Sequence, residues 1–159
     1  MSSIFNAPEI IDVGIEKEKK RMAFYDLVSK KFEVNQMKEL FERLRDWEKE
    51  HVEKFSRIKE NIKESQTGES YAGEMSDYAN ALLDDTLYKQ VSAGEFSKNV
   101  KTPLAAIQYG ISFEKDAILF FSEMLASMAD HDKDTIKTLI GEEKQHIIYL
   151  DQLKKKIKK

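Results

Sequence analysis

Two tetrads in this sequence, Glu48-Lys49-Glu50-His51 and Glu143-Lys144-Gln145-His146, set a carboxylate and an imidazole three residues apart. On a helix that spacing brings both side chains to one face about one turn apart, so the pair can grip a single metal ion. Glu48 with His51 falls between Leu44 and Phe55 of an apolar stripe, and Glu143 with His146 falls between Leu139 and Leu150. Two further glutamates interrupt stripes in the same way: Glu18 lies between Ile15 and Met22, and Glu114 between Ile111 and Ile118. Four carboxylates converging in a core repel one another, and each bare buried charge costs several kcal/mol or forces protonation. A cation must therefore sit among them. Two Glu-x-x-His clamps plus one glutamate from each of two other helices make up a paired-metal carboxylate site, and hard oxygen and imidazole ligands suit iron or manganese. One such tetrad alone in a Lys/Glu-rich helix is ordinarily a solvated face. Here two of the three histidines lie in such pairs, all six groups keep the phase of their stripes, and the two halves of the chain agree in spacing.

The elements that must carry these residues are helices. Six glycines and two prolines in 159 residues are few, while Lys, Glu, Leu, Ile and Ala abound, so the expected fold is all-α in a single domain over 1–159. The stripes predict helices over about 8–31, 36–64, 103–128 and 133–156. Pro8 suits a first turn, Asn35 reads as an N-cap, and Thr102-Pro103 reads as a cap and first helical residue. Residues 65–102 read as a crossover, with a turn at Gln66-Thr67-Gly68-Glu69-Ser70, a short helix from Ser76 to Tyr88 and a break at Ser92-Ala93-Gly94. The short connections make helices one and two, and three and four, antiparallel hairpins.

The halves repeat. Ile15-Glu16-Lys17-Glu18 before Phe24-Tyr25 parallels Ile111-Ser112-Phe113-Glu114 before Phe120-Phe121, and the two Glu-x-x-His tetrads correspond. Two antiparallel hairpins joined by one long crossover is the ferritin-like four-helix topology.

The remaining features narrow the class. A net charge of −3 from 26 basic and 29 acidic residues mixed along the chain suggests no nucleic-acid partner. The lack of cysteine excludes disulfides, thiolate sites and a built-in iron–sulfur or rubredoxin-type centre. No stretch approaches the roughly 20 apolar residues that span a bilayer, and the first residues do not read as a signal peptide, so a cytoplasmic protein without membrane contact is expected. Tyr25, two turns beyond Glu18, reads first as a core tyrosine and second as a group that hydrogen-bonds near the site or relays an electron. Trp47 reads as packing, His131 as an exposed loop histidine, and the run from Lys154 to Lys159 as a solvated helix end.

These motifs resemble the rubrerythrin branch of the ferritin-like di-iron carboxylate superfamily over nearly the whole chain. The resemblance implies two iron ions per chain, with manganese as the other candidate and zinc as a purification metal. It makes Glu18 and Glu114 terminal carboxylates, Glu48 and Glu143 bridging carboxylates, and His51 and His146 the imidazole ligands. It implies a homodimer that reduces hydrogen peroxide or dioxygen with electrons from an external donor protein such as a rubredoxin. Two departures stand out: the C-terminal rubredoxin domain of classical rubrerythrins has no counterpart here, and Ile111 and Ala117 flank Glu114 where a second glutamate would lie three residues away. The alternative is a ferroxidase and iron-storage subunit of a hollow shell, and a third reading is an interaction module whose bundle needs no metal.

Overall fold

The structure is a computed structural model that describes residues 7–65 and 86–158. Four long helices form the bundle: α1 (Ala7–Lys31), α2 (Asn35–Ser65), α5 (Pro103–Met124) and α6 (Asp130–Lys158). Two single-turn helices, α3 (Thr86–Lys89) and α4 (Phe96–Asn99), belong to the crossover. The fold is the all-α, ferritin-like bundle expected, and among the described residues no helix is long and apolar enough to cross a membrane.

Contacts fix the directions. Gly14 faces Phe120 and Met124, Lys17 reaches Asp116, and Tyr25 reaches Glu114, so α1 and α5 run antiparallel. Likewise His51 meets Glu142 while Trp47 meets His146 and Tyr149, so α2 and α6 run antiparallel too. The end of α2 and the start of α5 then lie at opposite ends of the bundle, and the crossover must travel its length. Lys31 Nζ donates to the Val100 carbonyl where it arrives. There Thr102 caps α5 by accepting from the Ala105 amide at 3.1 Å, with Pro103 in the first turn. Gly110 allows close approach, since a Cβ there would sit 3.2 Å from Leu150 Cδ1.

Some boundaries and phases differ from expectation. The third helix stops at Met124 and tightens into a 3-10 turn at Leu125–Ser127 instead of running to 128, and the fourth starts at Asp130, taking His131 into its first turn. Acidic Asp130 and Asp132 at that N-terminus favour the earlier start by complementing the helix dipole. In α1 Arg21 is fully buried while Met22 is half-buried, and in α5 Ala117 is buried while Ile118 is half-buried. The turn expected at 66–70 and most of the short helix expected at 76–88 lie outside the described residues, and its last turn appears as α3. The turns around Ser92-Ala93-Gly94 are present, but the crossover does more than connect. Tyr88, Val91, Phe96 and Val100 are buried against Phe24, Ile107 and Phe113.

The core is split by a polar layer. One apolar cluster holds Tyr25, Val28, Phe41, Leu44 and Leu150, and the other holds Ile11, Phe55, Phe121, Ile136 and Leu139. Each fully buried aromatic or branched side chain contributes roughly 1.5–3 kcal/mol, and the two clusters together can offset the cost of the layer between them.

Candidate metal centre

The polar layer collects the six interrupting groups at mid-bundle. Glu18 comes from α1, Glu48 and His51 from α2, Glu114 from α5, and Glu143 and His146 from α6; none is more than 3% exposed. They form two sets whose ligand atoms lie within 4.8 Å of one another: Glu18, Glu48, His51 and Glu143, and Glu48, Glu114, Glu143 and His146. Glu48 and Glu143 belong to both. His51 Nδ1 lies 2.7 Å from Glu143 Oε1 and 3.7 Å from oxygens of Glu18 and Glu48. His146 Nδ1 lies 3.2 Å from Glu48 Oε1 and 3.5 Å from Glu114 Oε1.

These residues fit a pair of metal ions. Both Nδ1 atoms, both Glu143 oxygens, Glu18 Oε2, Glu48 Oε1 and Glu114 Oε2 are buried without a hydrogen-bond partner. Such groups are expensive to strand, and their closeness without hydrogen-bond geometry is what lone pairs aimed at a shared cation produce. Without metal, a proton must serve. Burial pushes the Glu143 carboxyl well above the ordinary range, and the neighbouring Glu114 and Glu18 charges push it further. Burial acts upward on Glu114 as well, but the Glu143 carboxyl and the His146 imidazole hold it down to about 2.

A pH test follows from Glu143. Its proton is bound more tightly in the folded state than at the unfolded value of 4.5, so the metal-free protein loses stability as pH rises above that value toward the folded pKa. Glu143→Gln has no proton to lose there. Denaturant titrations of metal-free protein should show the variant gaining on the wild type as pH rises above that unfolded value. A difference that does not change with pH would place the proton elsewhere.

Several residues around the layer were not singled out from the sequence. Arg21 is fully buried: its Nη2 donates to Glu18 Oε1 at 2.5 Å, its Nε points at Glu48 Oε2 at 3.4 Å, and its Nη1 donates to the Tyr88 hydroxyl at 2.8 Å. Burial pulls its pKa down, yet Glu18 and the other acids raise it further, so the guanidinium stays charged. Tyr88 in turn donates to Asp116 Oδ2 at 3.0 Å, and Lys17 donates to the same oxygen at 3.1 Å. The signal for Arg21 was present: Glu18-Lys19-Lys20-Arg21 has the same three-residue spacing as the two histidine clamps. The adjoining Lys19 and Lys20 hide it in a run of charge.

Tyr25 is a core tyrosine that also hydrogen-bonds at the layer. It is fully buried in the core and its hydroxyl donates to Glu114 Oε1 at 2.5 Å, with burial and the Glu114 charge keeping it a phenol. His51 Nε2 meets Glu142 Oε2 at 2.7 Å, which fixes the ring and leaves Nδ1 for the layer. Trp47 packs, and what it packs on is His146, with ring centroids 5.0 Å apart and planes 14° from parallel. His131 is exposed, beside Asp132 and away from the layer. A cavity of about 230 Å³ opens between α2 and α6, lined by Trp47, Glu50, His51, Glu142, Gln145, His146 and Tyr149. It brings solvent-sized molecules to the edges of both imidazoles.

Comparison with known proteins bears on this centre. No curated protein and no solved structure matches the chain. The family described as Rubrerythrin, a ferritin-like di-iron family, matches residues 9–154, which takes in nearly all of the four long helices and all six buried Glu and His residues. The chain belongs to the Rubrerythrin family.

Proposed function

We propose that this protein is a di-iron carboxylate oxidoreductase that reduces hydrogen peroxide, and more slowly dioxygen, with electrons from an external donor protein. The observation that supports this best is that Glu48 and Glu143 are shared by two four-residue ligand sets. Glu18 with His51, and Glu114 with His146, would complete the two sets. Iron held by these residues would supply two electrons to an O–O bond, the balance being one peroxide, two electrons and two protons to two waters.

The chain's own residues do the rest. The cavity beside His51 and His146 admits a small oxidant, and half-exposed Glu142 at its edge links His51 Nε2 to solvent protons. Tyr25 holds Glu114 by its hydroxyl, and the pair of clusters above and below the layer keeps bulk water out. Trp47, stacked on His146 and Tyr149 and lining the cavity, is an aromatic group through which electrons from a donor such as a rubredoxin would pass. A homodimer in the cytoplasm belongs to the same proposal.

The test is anaerobic reconstitution with ferrous iron followed by stopped-flow mixing with each oxidant. Faster oxidation by peroxide is expected, because peroxide arrives already reduced by two electrons and one ferrous pair completes its cleavage. Oxidation by dioxygen at equal or greater rate would favour a ferroxidase or oxygenase. Particle size separates the storage alternative, since a dimer is about 37 kDa, twice the 18.5 kDa of one chain, and a hollow shell is far larger.

A further inference from the structure

The internal repeat makes the polar layer nearly two-fold symmetric, and Arg21 breaks that symmetry. Glu18 on α1 corresponds to Glu114 on α5, and the residue three positions on is Arg21 in one case and Ala117 in the other. Both are fully buried. The guanidinium engages Glu18 and Glu48, two of the three carboxylates of the set that includes His51. On the opposite side Glu114 receives a neutral hydroxyl from Tyr25. Arg21 is also held from behind, by Tyr88, which is itself hydrogen-bonded to Asp116 and stacked on Phe113 with centroids 4.6 Å apart.

We propose that Arg21 makes the two metal positions unequal: the Glu48, Glu114, Glu143, His146 position fills first and tightly, and the Glu18, Glu48, Glu143, His51 position fills second and weakly. This rests on the paired-metal reading above. Two effects act in the same direction. A fixed positive charge repels a divalent ion at the nearer position, in surroundings where such interactions are poorly screened. The guanidinium also occupies Glu18 Oε1 and faces Glu48 Oε2, oxygens that an ion at that position would otherwise use, whereas Glu48 Oε1 points at His146 and is unpaired. Once the first ion has displaced the Glu143 proton, four carboxylates and one guanidinium carry three negative charges, of which that ion cancels two, leaving little attraction for the second. Arg21 is thus a specificity-determining residue for metal occupancy, and the second position is the exchangeable one.

Calorimetric titration of metal-free protein with Co²⁺ tests this with no reference to turnover. Two steps separated by about 10-fold to 100-fold in affinity are expected. His146→Ala should remove the tight step and His51→Ala the weak one. Arg21→Gln should strengthen the weak step by about tenfold or more and merge the two, while Arg21→Lys, which keeps the charge, should keep them apart. A crystal of wild-type protein grown with about one equivalent of Co²⁺ gives a second measurement that needs no variant to fold, with anomalous density expected beside Glu114 and His146. Equal affinities in the wild type, an unchanged gap in Arg21→Gln, or first density beside Glu18 and His51 would each overturn the inequality and leave the paired-metal reading standing. Failure of the wild type to bind Co²⁺ at either position would overturn both.

Discussion

Glu143→Ala and Glu48→Ala are each expected to lower metal affinity at both positions by more than about 100-fold, whereas Glu16→Ala and Glu50→Ala should leave occupancy near that of the wild type. Glu48 and Glu143 are shared by both ligand sets, so losing either strips an oxygen donor from two ions at once. Removing an outer partner of a ligand already costs about 10- to 100-fold, and a shared ligand must cost more. Glu16 and Glu50 differ from them only in facing solvent, although Glu50 lines the cavity mouth. Metal analysis after loading and desalting measures the contrast. Similar losses from inward and outward substitutions would show that the buried layer is not where metal binds.

The second large effect concerns stability without metal. Arg21→Met should destabilise the metal-free protein by about 3–5 kcal/mol, because removing one member of a buried ion pair leaves the other uncompensated. The guanidinium is the only positive side chain donating directly to Glu18 and Glu48 among the described residues, and both carboxylates are fully buried. Metal ions bind the folded state, so loading should return much of the loss. Urea unfolding of metal-free and metal-loaded forms gives both numbers, with protein concentration held fixed. A loss below about 1 kcal/mol would mean that Glu18 and Glu48 are neutralised by protons and that Arg21 is not their counter-ion.

The two Arg21 substitutions ask different questions. The methionine variant reads the worth of the charge when no ion is present, and the glutamine variant reads its cost to an incoming ion. A residue can score strongly in both directions. The same positive charge that stabilises Glu18 and Glu48 in the metal-free protein opposes the metal that would replace it.

The helices, their pairing and the six residues of the layer were legible in the order of residues, because those depend on periodicity. A carboxylate or imidazole that keeps the phase of an apolar stripe must be buried wherever the helix is packed, and two Glu-x-x-His clamps in matching halves leave little freedom in how they meet. Glu18, Glu48, His51, Glu114, Glu143 and His146 all converge as that argument requires. Phase alone failed where neighbouring positions compete for the inside. Met22 looked like the core residue beside Glu18, and the helix is instead rotated slightly so that Arg21 turns in and Met22 is left half-buried. That rotation could not be read from periodicity, since Arg21 is buried by partners remote in the chain: Glu48 from α2 and Tyr88 from the crossover. The Glu142 contact to His51 and the Trp47 stack on His146 are of the same kind, each formed between α2 and α6 by residues far apart in the chain. Periodicity reports which side of a helix faces inward, and a charge placed there is stabilised or excluded by whatever the other helices bring to meet it.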